Sequence, residues 1–157
     1  MNKIFSLAFV LALSSCGFHL KGAAPYDRLP VQEWHIPAGA LKQPLETALR
    51  QASGVPSEYA NRGASLVINH MNEQRDVITI TRAAQINEYL LMLNVNAQAY
   101  YQGKAWGEPM QIQVRRTMDY ADSQILGKQE EEAQIWREMR QDAAAQIVRR
   151  LAFLKAQ

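Results

Sequence analysis

"NEYLLMLNVNAQAYY", residues 87–101, alternates. Leu91, Leu93, Val95, Ala97 and Ala99 fall on one side of an extended chain, and Glu88, Asn94, Asn96 and Gln98 fall on the other. Successive side chains of a strand point to opposite faces, so this stretch reads as a strand with one face on a core and one left polar. The apolar side packs on a core, and the polar side can meet water or a partner.

Working outward, Met110, Ile112 and Val114 alternate with Gln111, Gln113 and Arg115 as the next strand, and "QGKAWGEP" at 102–109 reads as the turn between. Upstream, Leu66 to Met71 and Val77 to Thr81 are joined by the polar "NEQRD". We read them as one long strand with room for a bulge, turned back by "RAAQ" at 82–85. Val31 to Ile36 alternates weakly and is ended by Pro37 and Gly39.

Two stretches carry a helical period. Leu41, Leu45, Ala48, Leu49 and Ala52 share one face, with Pro44 suited to a first turn and Ser53-Gly54 as a stop. After "MDYADSQILG" the longest element is expected from Lys128. There Trp136, Met139, Ala143, Ile147, Leu151 and Leu154 advance by threes and fours. Glu130, Glu131 and Glu132 at its start and Arg149, Arg150 and Lys155 at its end complement the helix dipole. The order is β-α-β-β-β-α, and the simplest packing is a single α+β domain with both helices on one face of a four-stranded sheet.

The N-terminus asks a different question. "LALSSCGFHLKG", residues 11–22, holds the sole cysteine of the 157-residue chain. Lys3 followed by the apolar run Ile4 to Leu13 fits a signal-peptide core and falls short of the roughly 20 residues that span a bilayer. Leu13-Ser14-Ser15-Cys16 resembles the bacterial lipobox, in which the cysteine sulfur takes a diacylglycerol, the chain is cut before it and the new N-terminus is acylated. An unpaired cysteine in an exported chain is otherwise a liability, which favours Cys16 as a lipidation site over a chance thiol. Several acyl chains give lasting anchorage where one does not. Gly17 follows the cysteine where an aspartate would resemble an inner-membrane retention signal, so the outer membrane is expected. The division is then 1–15 signal peptide, 16–30 lipidated cysteine and tether, and 31–157 folded domain.

The formal charge is +2, too near neutral for a dedicated nucleic-acid binder that depends on many phosphate contacts. His19, His35 and His70 belong to no metal-ligand spacing, so no metal and no cofactor are expected beyond the lipid on Cys16. No G-x-S-x-G elbow appears, Gly127-Lys128 lacks the earlier glycine of a phosphate loop, and Asp119 and Asp122 suit turn and capping oxygens better than acid–base work. The chain does not read as an enzyme. The basic residues remain: Arg115 and Arg116 as contacts for an anionic partner, Arg82 in a tight connection near Arg75, and Lys128 where the last helix begins. For each taken singly, solvated surface is the simpler reading; together, cations at the tip of a rigid sheet suit phosphate-bearing head groups.

"CGFHLKG" directly after the lipobox, "TRAAQINEYLLMLNVNAQAYYQG", and "VRRTMDYADSQILGKQEEEAQIWREMRQDAAAQIVRRL" together resemble the LPS-assembly lipoprotein family LptE, also called RlpB. The likeness runs from Cys16 to about Leu151. It implies a lipid-anchored domain on the periplasmic face of the outer membrane, with two helices on a four-stranded sheet. Such a domain would plug and help assemble the outer-membrane β-barrel LptD and help lipopolysaccharide reach the outer leaflet. The family's basic residues thought to meet lipopolysaccharide phosphates match Arg82 and Lys128. The other reading is a lipoprotein that binds a different envelope ligand with no barrel partner.

Overall fold

The computed structural model describes residues 29–59, 63–80, 86–120 and 125–155. Seven elements follow in order: β1 Glu33–His35, α1 Lys42–Gln51, β2 Val55–Ser57, β3 Ala64–Ile80, β4 Ile86–Tyr101, β5 Lys104–Asp119 and α2 Ile125–Leu151. The α+β class holds, but the sheet has five strands in the order β2-β1-β3-β4-β5, not four. The strand missing from the sequence reading is Val55-Pro56-Ser57. Three residues are too few to show a period, and a proline argues against a strand interior. It forms as the parallel neighbour of β1, through Glu33↔Val55 and His35↔Ser57, at an edge where the missing proline N–H is not needed.

The sheet tapers. β1 meets β3 at Trp34↔Ala64 and His35↔Ser65 and then leaves it. Beyond that point β3, β4 and β5 run on as a three-stranded antiparallel sheet to Ile80, Ile86 and Asp119. β3 is one strand as expected, with a register shift between Ile68 and His70 and further shifts near its end, between Val77 and Thr79 and between Thr79 and Ile80. The bulge after Ile68 turns Glu73 and Arg75 toward the helices, because they pair with the inward Leu93 and Leu91.

The β4–β5 connection is tighter than "QGKAWGEP" suggested. Gln102 (φ 50°) and Gly103 (φ 77°) form a two-residue hairpin between the paired Tyr101 and Lys104. Both central residues have φ > 0, as this primed turn requires. The rest of that segment is strand, interrupted where Ala97↔Met110 gives way to Ala99↔Trp106. Gly107 (φ 74°) makes this bulge possible, and the buried amide of Gln98 fills it, donating to the carbonyls of Ala99 (2.9 Å), Gly107 (3.1 Å) and Trp106 (3.4 Å). Gln98 thus has the polar parity read from the sequence yet is buried.

One core lies between the sheet and the helices. Leu91, Leu93, Val95, Ala97 and Ala99 of β4 are buried with Leu45 and Leu49 of α1 and Met139, Ala143, Ile147 and Leu151 of α2. Leu29, expected in the tether, is also part of it. Aromatic side chains close the wide end. Trp106 stacks on Trp34 with centroids 5.8 Å apart and planes 3° from parallel, and its Nε1 donates to the Lys155 carbonyl at 2.9 Å.

The stop after α1 is a Schellman-type cap. The Gly54 N–H reaches the Leu49 carbonyl (2.8 Å), and the Ser53 N–H reaches that of Arg50 (3.1 Å). Serine, not the glycine beside it, occupies the left-handed position, at φ 59°. Ser53→Gly is therefore expected to raise stability by about 0.5–1 kcal/mol, because glycine enters that conformation without a Cβ clash. Urea denaturation checks it, and a lower midpoint would contradict it.

Candidate functional site

Of the cations singled out from sequence, Arg75 and Lys128 lie toward the narrow end of the sheet, where α2 begins. Its first turn starts at Ile125, three residues before the expected Lys128, so the triple glutamate lies in the second turn. Lys128 then occupies the first turn, where a cation opposes the helix dipole. Glu131 answers it, with Nζ to Oε2 at 2.7 Å, and the lysine side chain is 15 % exposed.

α2 is pinned over β4 by ion pairs on both flanks. On the β3 side Arg75 meets Glu132 at 2.9 Å and Glu73 meets Arg140 at 2.7 Å. On the β5 side Arg116 meets Asp142. Glu132 also accepts from Trp136 Nε1 at 3.2 Å, and the Arg75 guanidinium lies 4.8 Å from the centre of the Tyr89 ring. Tyr89 in turn meets Tyr120 edge-on at 5.1 Å. These contacts fix where the helix begins relative to the β3–β4 hairpin. Lys128 lies one turn, about 6 Å of helix rise, beyond Glu132 toward the narrow end. Val77 and Ile78, half exposed, give the same end an apolar character. Arg75, Glu132, Tyr89 and Tyr120 were not singled out together, because their meeting depends on a bulge and on a helix crossing that no local pattern reveals.

Arg82 lies outside the described residues, in the connection between Ile80 and Ile86. Cys16 lies outside them too. Arg115 and Arg116 do not act as a pair. Arg116 shares the helix face with its partner Leu91 and is engaged by Asp142, whereas Arg115 pairs with Met92 on the opposite face and is exposed. That opposite face is rich in amides: Asn94 stands between Asn72 and Gln113, and Gln113 Nε2 donates to Asn94 Oδ1 at 2.8 Å.

His35 Nδ1 donates to the Ser57 carbonyl at 3.0 Å, joining β1 to β2, and His70 is exposed on β3. Among the described residues no three His, Cys, Asp or Glu side chains gather as a metal site. No described helix is long and apolar enough to cross a membrane.

Two helices over one face of a mixed sheet, with a polar opposite face, is the architecture of a class of small bacterial lipoprotein domains. Lipoprotein B of Nitrosomonas europaea superposes with a TM-score of 0.71 at 22% identity, over 87% of this chain and 90% of that one. The rare lipoprotein B of Shewanella oneidensis does so with a TM-score of 0.65 at 22% identity, over 76% and 93%. These likenesses establish the fold. The chain belongs to the LptE family: the family model described as "LptE: Lipopolysaccharide-assembly" matches residues 26–151. It is similar to the LPS-assembly lipoprotein LptE of Pectobacterium atrosepticum, 29% identical over 96% of this chain and 85% of the relative. The protein of the same name from Yersinia enterocolitica is 30% identical, over 94% and 73%.

Proposed function

We propose that this chain is an outer-membrane lipoprotein of lipopolysaccharide assembly, held at the periplasmic face by lipids on Cys16 after removal of residues 1–15. In this reading residues 16–30 lead from the anchor into the 31–157 domain, which plugs the barrel LptD, helps it assemble and assists delivery of lipopolysaccharide to the outer leaflet. It carries out no bond-breaking chemistry and needs no cofactor. Arg82 and Lys128 meet phosphates of the lipopolysaccharide, and Arg115 offers a further contact to an anionic partner.

Family membership supports the lipopolysaccharide role. The observation that carries the site is the placement of Lys128. It stands in the first turn of α2, beyond the Arg75–Glu132 pair, at the end of the sheet where β3 runs toward Arg82. Its charge is already answered by Glu131, so an incoming phosphate would compete with or displace that carboxylate. Phosphate bears more charge and accepts from several donors at once, which favours the exchange.

Arg82→Asp with Lys128→Asp is expected to weaken lipopolysaccharide binding at least tenfold while the circular dichroism spectrum stays unchanged. A hydrogen bond to a charged group contributes about 1.5–3 kcal/mol, and roughly 1.4 kcal/mol is a factor of ten. Unchanged affinity in the folded double variant would remove both residues from the site. The barrel partnership is tested separately. Full-length protein tagged after Gln157 should bring down a large outer-membrane barrel in near-stoichiometric amount from detergent extracts. Recovery without a barrel, in detergents that preserve such complexes, would favour the alternative of an envelope lipoprotein with a different ligand.

A further inference from the structure

A second polar site lies well away from the narrow end, in the cleft between α1 and α2. We propose that this cleft binds a phosphoryl group carried on a small, hydroxyl-rich body, of the size and chemistry of a sugar phosphate. The cleft encloses about 550 Å³, within the roughly 300–1,000 Å³ usual for small-molecule sites. Its polar lining is Gln43, Thr47 and Gln51 from α1 and Arg137, Arg140 and Gln141 from α2, over a floor of alanines and a proline. Among the described residues no carboxylate lines it, and two guanidinium groups do.

The two arginines differ in how their charge is met. Arg140 is paired with Glu73 of β3 at 2.7 Å. Arg137 bonds to a neutral acceptor instead, Gln134 Oε1, through Nε at 3.1 Å and Nη2 at 2.6 Å, and has no carboxylate partner among the described residues. That contact orients the guanidinium while leaving its charge uncompensated. A guanidinium held in this way presents its remaining N–H groups as a fork, the geometry that phosphate accepts. Thr47 donates its hydroxyl hydrogen to the Gln43 carbonyl at 3.0 Å, so its oxygen is left to accept. The three glutamine amides add donors and acceptors in equal number, the mixture that matches sugar hydroxyls rather than a bare ion. Arg137 is nine residues along α2 from Lys128, about 13 Å of helix rise, so one phosphate cannot serve both places. The proposal therefore stands or falls independently of the lipopolysaccharide site.

The test uses the full chain in non-ionic detergent, titrated with glucose 6-phosphate, with glucose and inorganic phosphate as separate arms. Amide and side-chain NMR shifts locate the site. The expected result is saturable binding of glucose 6-phosphate, tighter than that of either arm. Its shifts should centre on Gln43, Thr47, Gln51 and Arg137, with affinity falling at least tenfold in Arg137→Ala and holding in the charge-matched control Lys104→Ala. Shifts centred on Lys128, equal loss in both variants, or no saturable binding would overturn the proposal. Inorganic phosphate binding as tightly as the sugar phosphate would overturn it as well, since the amides would then contribute nothing.

Discussion

Trp106→Ala should lower the stability of the domain by about 3–5 kcal/mol, the range for removing a buried tryptophan. Trp106 is 4 % exposed and holds three parts of the chain together. It stacks on Trp34 of β1, packs at 5.4 Å against Tyr101 on the far side of the β4–β5 hairpin, and binds the Lys155 carbonyl just past α2. Truncation removes a large apolar area and leaves that carbonyl without its donor. Thermal and urea unfolding give the magnitude, and near-ultraviolet circular dichroism should lose the signal of the stacked Trp34–Trp106 pair. Trp106→Phe separates the contributions: it keeps ring packing and loses the hydrogen bond, at an expected cost nearer 1–2 kcal/mol. A loss under about 1 kcal/mol in the alanine variant would mean that the wide end closes without this residue.

The second large effect is expected at Gly63, immediately before β3. A Cβ built there would lie 2.5 Å from the Glu33 carbonyl oxygen and 3.1 Å from the Glu33 Cβ. The obstacle is backbone, which cannot rotate aside as a side chain can, so Gly63→Ala must push β1 away from β3. That junction consists of just two paired positions, Trp34↔Ala64 and His35↔Ser65. We expect a loss of about 2–3 kcal/mol, in the range of overpacked positions. Hydrogen exchange should show lost protection in β1 and β2 while the β4–β5 ladder keeps its own. Unchanged protection in β1 would show that the junction tolerates a wider spacing.

These two positions also show what could be read in advance. The inward face of β4 and the apolar face of α2 were legible because each runs long enough for its period to repeat, and burial follows that period apart from the buried Gln98 and the half-buried Trp136 and Leu154. Trp106 was not, because Gly103, Gly107 and Pro109 around it read as a loop. The turn uses only Gln102 and Gly103, and Gly107 serves a bulge inside the strand. β2 escaped notice for the opposite reason, having no length in which to show a pattern. Among the candidate site residues, Lys128 lies in the first turn of α2 rather than at its first residue, and its bond to Glu131 was not read from the sequence. Arg115 and Arg116 looked like one basic patch. Strand alternation sends them to opposite faces, and α2 claims Arg116 through Asp142, 26 residues further along the chain. That ion pair is a tertiary event with no local signature.

The taper of the sheet also has a consequence for motion. At the wide end five strands, two stacked indoles and the return of the chain at Lys155 interlock. Toward Ile80 and Ile86 a three-stranded sheet continues alone, its outer backbone groups on β3 unshared with β1 and its last turns of packing supplied by exposed ion pairs. Local opening costs least where few apolar contacts must break, so thermal breathing should be graded along the molecule, small at one end and frequent at the other. Lys128 stands at the end expected to open first. Fraying a few hydrogen bonds would open that end, while the opposite end keeps the domain folded.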